Sequence, residues 1–259
     1  MKKMFAMLLA LLMIVSCFAG CAAKEASDMA NVKKNGKLVV GITDYAPMDF
    51  KDENGNWTGF DAEFAQLFAE ELGVECEFFV LADWSKKFYE LETKNIDVIW
   101  NGMTITDEVK LNTNCSNPYV INAQVVVMKN ENLAAYADAA SIKGLTVAVE
   151  SGSTGEAAAK DAGIEKTVAT QDQAKALMEV AAGTADACII DITMANAMTG
   201  EGTDYAGLGY TLKLNTEEYG VGFRKGSDLT AQFNAFMDKL IADGTLPALA
   251  EKYGLTLAG

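Results

Sequence analysis

The chain contains no histidine, and its only arginine is Arg224. Nucleophilic triads built on an imidazole base, histidine metal ligands and histidine pH switching are therefore all excluded. Cations in general are scarce: 21 lysines and arginines stand against 36 acids, a formal net charge of −15. Phosphate backbones repel such a chain, and no basic cluster argues otherwise, so nucleic acid is not an expected partner. Neither a metal nor a cofactor is expected, because no ligands stand at local metal-binding spacing and the scattered acids read as a solvated surface. Cys76, Cys115 and Cys188 are odd in number and far apart, which predicts reduced core thiols and not a disulfide framework.

Long apolar runs are also missing, with one exception. Lys2 and Lys3 precede MFAMLLALLMIV (Met4–Val15), shorter than the roughly 20 residues a membrane-spanning helix needs. Residues 1–20 are read as a signal peptide. The following SCFAGCAAKE resembles a bacterial lipoprotein processing site, with FAGC at Cys21 the better match and IVSC at Cys17 the other. A lipid on Cys21 would anchor the mature protein to an outer membrane face. Residues 21–36 are small and polar and are read as a tether.

What is present is ample for a core: 259 residues, half of them apolar. KLVVGITD (Lys37–Asp44) has the pattern of a buried strand. DENGNWTG (Asp52–Gly59) is a hairpin signal with Asn54-Gly55 at its tip. FDAEFAQLFAEELG (Phe60–Gly73) reads as a helix, with Asp61 as a candidate cap and Gly73 as its stop. ECEFFVL, SKKFYELETKN and IDVIW continue the alternation of strand and helix. GLTVAVES, GEAAAKDAG, DQAKALMEVAAGT and DACIID then repeat it. Laid over each other, NIDVIWNGMT and TADACIIDIT place Asp97 on Asp186 and Thr104 on Thr193. Two α/β lobes of similar build are predicted. The tail helix SDLTAQFNAFMDKLIADG should bury Leu229, Phe233, Phe236, Met237, Leu240 and Ile241.

Ligands of open α/β sheets bind beyond the carboxyl ends of the strands. Those ends carry Asp44-Tyr45, Asn101-Gly102-Met103-Thr104, Ser151-Gly152-Ser153-Thr154 and Asp191. Facing each other, they would form a cleft for a small molecule.

GFDAEFAQLFAEELGV, NIDVIWNGMTITDE, VESGSTGE, TADACIIDI, EYGVGFRKG and the final DGT…EKYG resemble the extracellular solute-binding proteins of polar amino-acid ABC importers, from about Lys37 to Gly254. The resemblance implies a type II periplasmic-binding-protein fold of class α/β, with two lobes joined by two crossing hinge strands. The first lobe would comprise residues 37–122 and 217–259 and the second 123–216, with hinges near 122–128 and 210–217. It implies a monomer that closes on an amino acid or related amine and docks on an ABC permease. Carried over one at a time, the family's positions fall on Tyr45 and Trp84 as aromatics covering the ligand. Asn101, Gly102 and Thr104 fall on the strand-end donors, Ser153, Thr154 and Gly155 on the second-lobe loop, and Asp191 on the acid that receives the α-ammonium.

One departure matters. Where the family commonly reads T-D-E-R, its arginine forking the ligand's α-carboxylate, this chain reads Thr106-Asp107-Glu108-Val109. Lys110 is displaced by one residue and is a point charge without a fork. Glu150, with Asp44 and Asp49 near the first strand end, would make the pocket mouth negative. Two ligand readings follow: a free amino acid held by Thr104 and backbone N–H groups, or an amine or carboxylate-blocked derivative. A dehydratase-like enzyme on the same fold would need an acid and a base with separated pKa values, for which Glu150 and Asp191 are the only candidates. A sensory protein, signalling through a separate partner, is the third class.

Overall fold

A computed structural model describes residues 27–259. The signal peptide and the lipidation site at Cys21 lie outside the described residues. The segment read as a tether carries helix α1 (Asp28–Asn35). Ser27 caps it by accepting from the Ala30 N–H, Gly36 closes it at φ 72°, and Val32 is buried beneath it. Its polar composition hid this, because two apolar residues, Val32 and the half-buried Met29, dock it together with an ion pair and the Met29 N–H bond to Asp228. That ion pair is Asp28 with Arg224, whose guanidinium also bonds Asp97 and the carbonyls of Leu91 and Ile96. Arg224 is thus spent on the first lobe.

The chain continues through β1 (Lys37–Ile42), the hairpin β2 (Phe50–Lys51) and β3 (Trp57–Thr58), and helix α2 (Phe60–Leu72). Next come β4 (Glu75–Val80), a 3₁₀ turn at Trp84–Lys86, α3 (Lys87–Glu92), β5 (Val98–Ile99), α4 (Asp107–Asn112), β6 (Asn114–Cys115) and β7 (Val120–Asn122). A second series follows: β8 (Gln124–Lys129), β9 (Thr146–Glu150), α5 (Thr154–Asp161), β10 (Lys166–Thr170), α6 (Gln173–Ala182) and β11 (Ala187–Asp191). After α7 (Ile192–Met198) and β12 (Leu208–Lys213), the chain returns by β13 (Glu217–Tyr219) and β14 (Gly222–Phe223). It ends in α8 (Leu229–Ala242) and α9 (Thr245–Lys252).

Two sheets result, ordered β4-β1-β5-β14-β6 and β10-β9-β11-β8-β12. In each, three parallel strands are followed by an antiparallel one. This is the type II periplasmic-binding-protein arrangement of two α/β lobes. The internal repeat extends to single hydrogen bonds. Asp97 Oδ2 accepts from the Val39 N–H at 3.0 Å, and Asp186 Oδ2 accepts from the Thr146 N–H at 2.8 Å.

The first core packs Phe64, Phe68 and Trp100 from one side against Phe233 and Phe236 of α8. Ile241, placed in that buried stripe by sequence, is 42 % exposed, since it sits at the edge of the apolar arc. Asp61 does not cap α2; Gly59 does, at φ 115°, where a Cβ would fall 2.3 Å from the Met48 carbonyl. The link between lobes is the antiparallel ribbon of β7 and β13. The runs expected as hinges, 122–128 and 210–217, are mostly β8 and β12 inside the second sheet. Val125 to Met128 are buried throughout, as a central strand requires.

Candidate functional site

Between the lobes lies a cavity of about 290 Å³, at the carboxyl ends of β5, β9 and β11. Trp84, Asn101, Gly102, Thr104 and Val109 line it from the first lobe, and Glu150, Ser153, Thr154 and Asp191 from the second. Most of the residues singled out from sequence therefore share one wall or the other.

Asp191 ends β11 and is 3 % exposed. Asn122 and Gln124 donate to its Oδ1, Gln173 donates to its Oδ2, and its own N–H donates to Gln173 Oε1 at 2.8 Å. Burial pushes its pKa up to about 7, with the Glu217 carboxylate adding to the shift and the amide donors opposing it. Glu217, on the linking ribbon, shares both amides: Asn122 Nδ2 and Gln124 Nε2 each lie 2.7 Å from its Oε1, and Thr104 Oγ1 donates to it at 2.8 Å. Glu150 is buried at the end of β9, and burial first, then Asp191 and Asp172, hold its pKa well above the carboxylate range.

The two walls touch. Thr104 Oγ1 lies 3.3 Å from Thr154 Oγ1, and Lys87 Nζ donates to the Gly152 carbonyl at 3.1 Å. A Cβ on Gly152, which sits at φ 71°, would fall 2.9 Å from Ser85 Cα. Tyr45 of the first lobe meets Thr193 of the second at 2.6 Å and Tyr219 at 2.5 Å.

Several residues are placed differently from the sequence reading. Tyr45 is not on the cavity wall; its ring packs against Gly102, where a Cβ would fall 2.6 Å from Cε1, and its hydroxyl is held between Thr193 and Tyr219. Gly155 lies behind the wall, because the chain there passes close to the Ile189 carbonyl and leaves no room for a side chain. Asp44 is exposed and off the wall. Asn101 lines the cavity, but its amide is engaged with the N–H and hydroxyl of Thr43, and the Gly102 N–H donates to Asp61 at 2.6 Å. Ser153 caps α5 by accepting from the Glu156 N–H. Val109 packs with Leu81, Trp84, Ile99 and Met103 in an apolar cluster.

Among the polar residues of the site that were missed are Lys87, Gln124, Gln173 and Glu217, with Asn122 beside Asp191 and Asp107 and Glu108 on the wall. Of the first four, Gln124 alone left a trace, as a polar residue opening the greasy run QVVVMK.

Two α/β lobes with a polar cleft at their strand ends have the architecture of the clamshell class of binding proteins. The sequence profile of the bacterial extracellular solute-binding proteins, family 3, matches residues 38–256, and this chain belongs to that family. The L-cystine-binding protein TcyJ of Escherichia coli K12 is 32 % identical, the match covering 93 % of this chain and 92 % of that protein. The arginine-binding extracellular protein ArtP of Bacillus subtilis is 30 % identical, over 94 % of this chain and 96 % of that protein. Among solved structures, the ancestral amino acid-binding protein AncCDT-1, described as a precursor of cyclohexadienyl dehydratase, is 34 % identical, with a TM-score of 0.78. That match covers 88 % of this chain and 99 % of that one. A mutant of ArgBP from T. maritima gives a TM-score of 0.81 at 32 % identity, over 87 % of this chain and 98 % of that one.

Proposed function

We propose that this protein is the extracytoplasmic ligand-binding component of an amino-acid ABC importer, and that it closes on an amino acid of net positive charge and passes it to the permease. The observation that carries the reading is Asp191, a buried carboxyl at a strand end on the cavity wall. An α-ammonium there would meet an acid already oriented by three amides. Charge supports the choice of ligand class. Glu150 and Asp191 are buried on the wall, Asp107 and Glu108 join them, and Lys87 is the one lysine or arginine among the described lining residues. A ligand carrying one net positive charge complements that set, and arginine is what ArtP and ArgBP are named for.

The site residues in this reading are Trp84, Thr104, Ser153, Thr154, Glu150 and Asp191. Tyr45 acts behind them as support, and Gly102 lines the wall with its N–H engaged by Asp61. Cys21 would carry the lipid anchor, and the protein would act as a monomer. Catalysis is not part of the proposal: the relatives TcyJ and ArtP are named as binding proteins, and the buried Glu150 and Asp191 are accounted for by the charge of the ligand. Ligand recovered unchanged after prolonged incubation is the expected result.

One observation favours a second ligand class. Val109 sits in an apolar cluster where the family places its carboxylate-binding arginine, which suits an amine or an amino-acid amide. Calorimetric titration with L-arginine, L-argininamide and agmatine separates the two. L-arginine should bind tightest, and Asp191→Asn should weaken it by roughly 10- to 100-fold, the loss of one charge-assisted hydrogen bond. Tighter binding of agmatine would establish the second class instead.

A further inference from the structure

Lys87 opens α3, in a stretch, SKKFYELE, whose charges suggest a solvated helix face. The structure instead turns it inward, to 5 % exposure on the cavity wall. Lysine is almost never buried so far without a partner. Its ammonium has the Gly152 carbonyl at 3.1 Å and the Trp84 carbonyl at a marginal 3.5 Å. It lies 4.8 Å from the centre of the Trp84 ring and 4.7 Å from that of Phe88. It forms no ion pair among the described residues. Three donors are available on an ammonium, and one firm hydrogen bond leaves capacity directed at the cavity. Val109 shares the wall, and Lys110, the cation next to it in sequence, is exposed and off it.

We propose that Lys87 grips the ligand's α-carboxylate, replacing from a different helix the arginine absent at position 109. The inference rests on the amino-acid reading above. Lys87 belongs to the first lobe and Asp191 to the second, so a zwitterion held at both would bridge the cleft through its two charged ends. A ligand without the carboxylate would engage one lobe's charge only. Because an ammonium is a point charge without a fork, the preference for acid over amide should be moderate.

The test compares wild type, Lys87→Met and Lys87→Arg by calorimetry with L-arginine and L-argininamide. Methionine keeps an unbranched apolar stem against Trp84 and Phe88, and circular dichroism confirms the fold. Lys87→Met should lose roughly 10- to 100-fold for L-arginine, one charge-assisted hydrogen bond, while binding of L-argininamide stays within about threefold, a residual difference below one tenfold step. Lys87→Arg should restore the preference for the acid. Equal losses for both ligands would mean that Lys87 serves only as a contact to Gly152, and would overturn the proposal, as would an unchanged affinity for L-arginine. A wild type that binds neither probe fails the cationic-ligand reading instead. The same three proteins titrated with L-glutamine and L-glutaminamide then decide the Lys87 assignment by the same selectivity, and no binding to any of the four overturns both.

Discussion

Asp191 and Glu217 compete for the same two amides, Asn122 and Gln124, and that competition has a pH signature. With its pKa pushed up to about 7 by burial and by Glu217, Asp191 is increasingly protonated as pH falls from 8 to 6. A cationic ligand binds the carboxylate, so affinity for L-arginine should weaken across that range and binding above it should release little or no proton. Near pH 7 proton release should appear as a dependence of the calorimetric heat on buffer ionisation. Glu150, whose pKa is also raised, adds to the release; Asp172, Lys87, Tyr45 and Tyr219 are further titratable groups acting on this corner. Glu217→Gln removes the Coulombic push, so the same loss of affinity should occur at a lower pH. Asp191 was legible in the sequence because an acid ending the run ACIID stands out. Glu217 was not: it sits in the polar stretch NTEE, and only the return crossing of the chain brings it to the cleft. Lys87 failed differently, since its neighbours mark a solvated face and only the preceding 3₁₀ turn aims it inward.

At the level of elements, the repeat was the most readable feature, because it rests on local chemistry. The acid before each short parallel strand, Asp97 or Asp186, ties down the start of the neighbouring strand, so the same residue recurs at the same place. The glycine turn before α5 carries a second consequence. Gly152 lies against the backbone of Ser85 on the facing lobe, so Gly152→Ala adds both a strained φ of 71° and a wedge between the lobes. It should shift the protein toward an open form, seen as a larger radius of gyration by small-angle scattering in saturating ligand and as a weaker affinity. The crossing strands were less readable. An apolar run such as VVVM suits a hinge or a central strand equally well in sequence, and only its burial between β11 and β12 decides for the sheet.

Across the whole molecule, buried acids set the pH dependence of stability. Asp61 and Asp191 each titrate at about 7, and Asp49 and Glu150 are raised well above their ordinary values, in every case first by burial. The folded state therefore retains protons that the unfolded chain releases above about pH 4. Their contribution is largest at low pH and declines as pH rises through 7. Without added ligand, the melting temperature should fall between pH 5.5 and 8. Exposed acids with lowered pKa values, such as Asp52 and Asp138, act in the opposite sense, at more acid pH. Asp191 and Glu150 end apolar runs in the sequence, but no pattern announced the burial of Asp49 and Asp61, because it follows from tertiary packing around Tyr119 and Met48.

The first sheet cannot be finished until the last quarter of the chain arrives, because β14 lies between β5 and β6 and α8 closes the aromatic core. The second sheet is built from one continuous stretch, β8 to β12. During biogenesis the lobe made later can mature first, while the earlier one waits, incomplete, for its C-terminal insert. A chain truncated before Gly222 should accordingly keep slow amide exchange in β9 and β11 and lose it in β1.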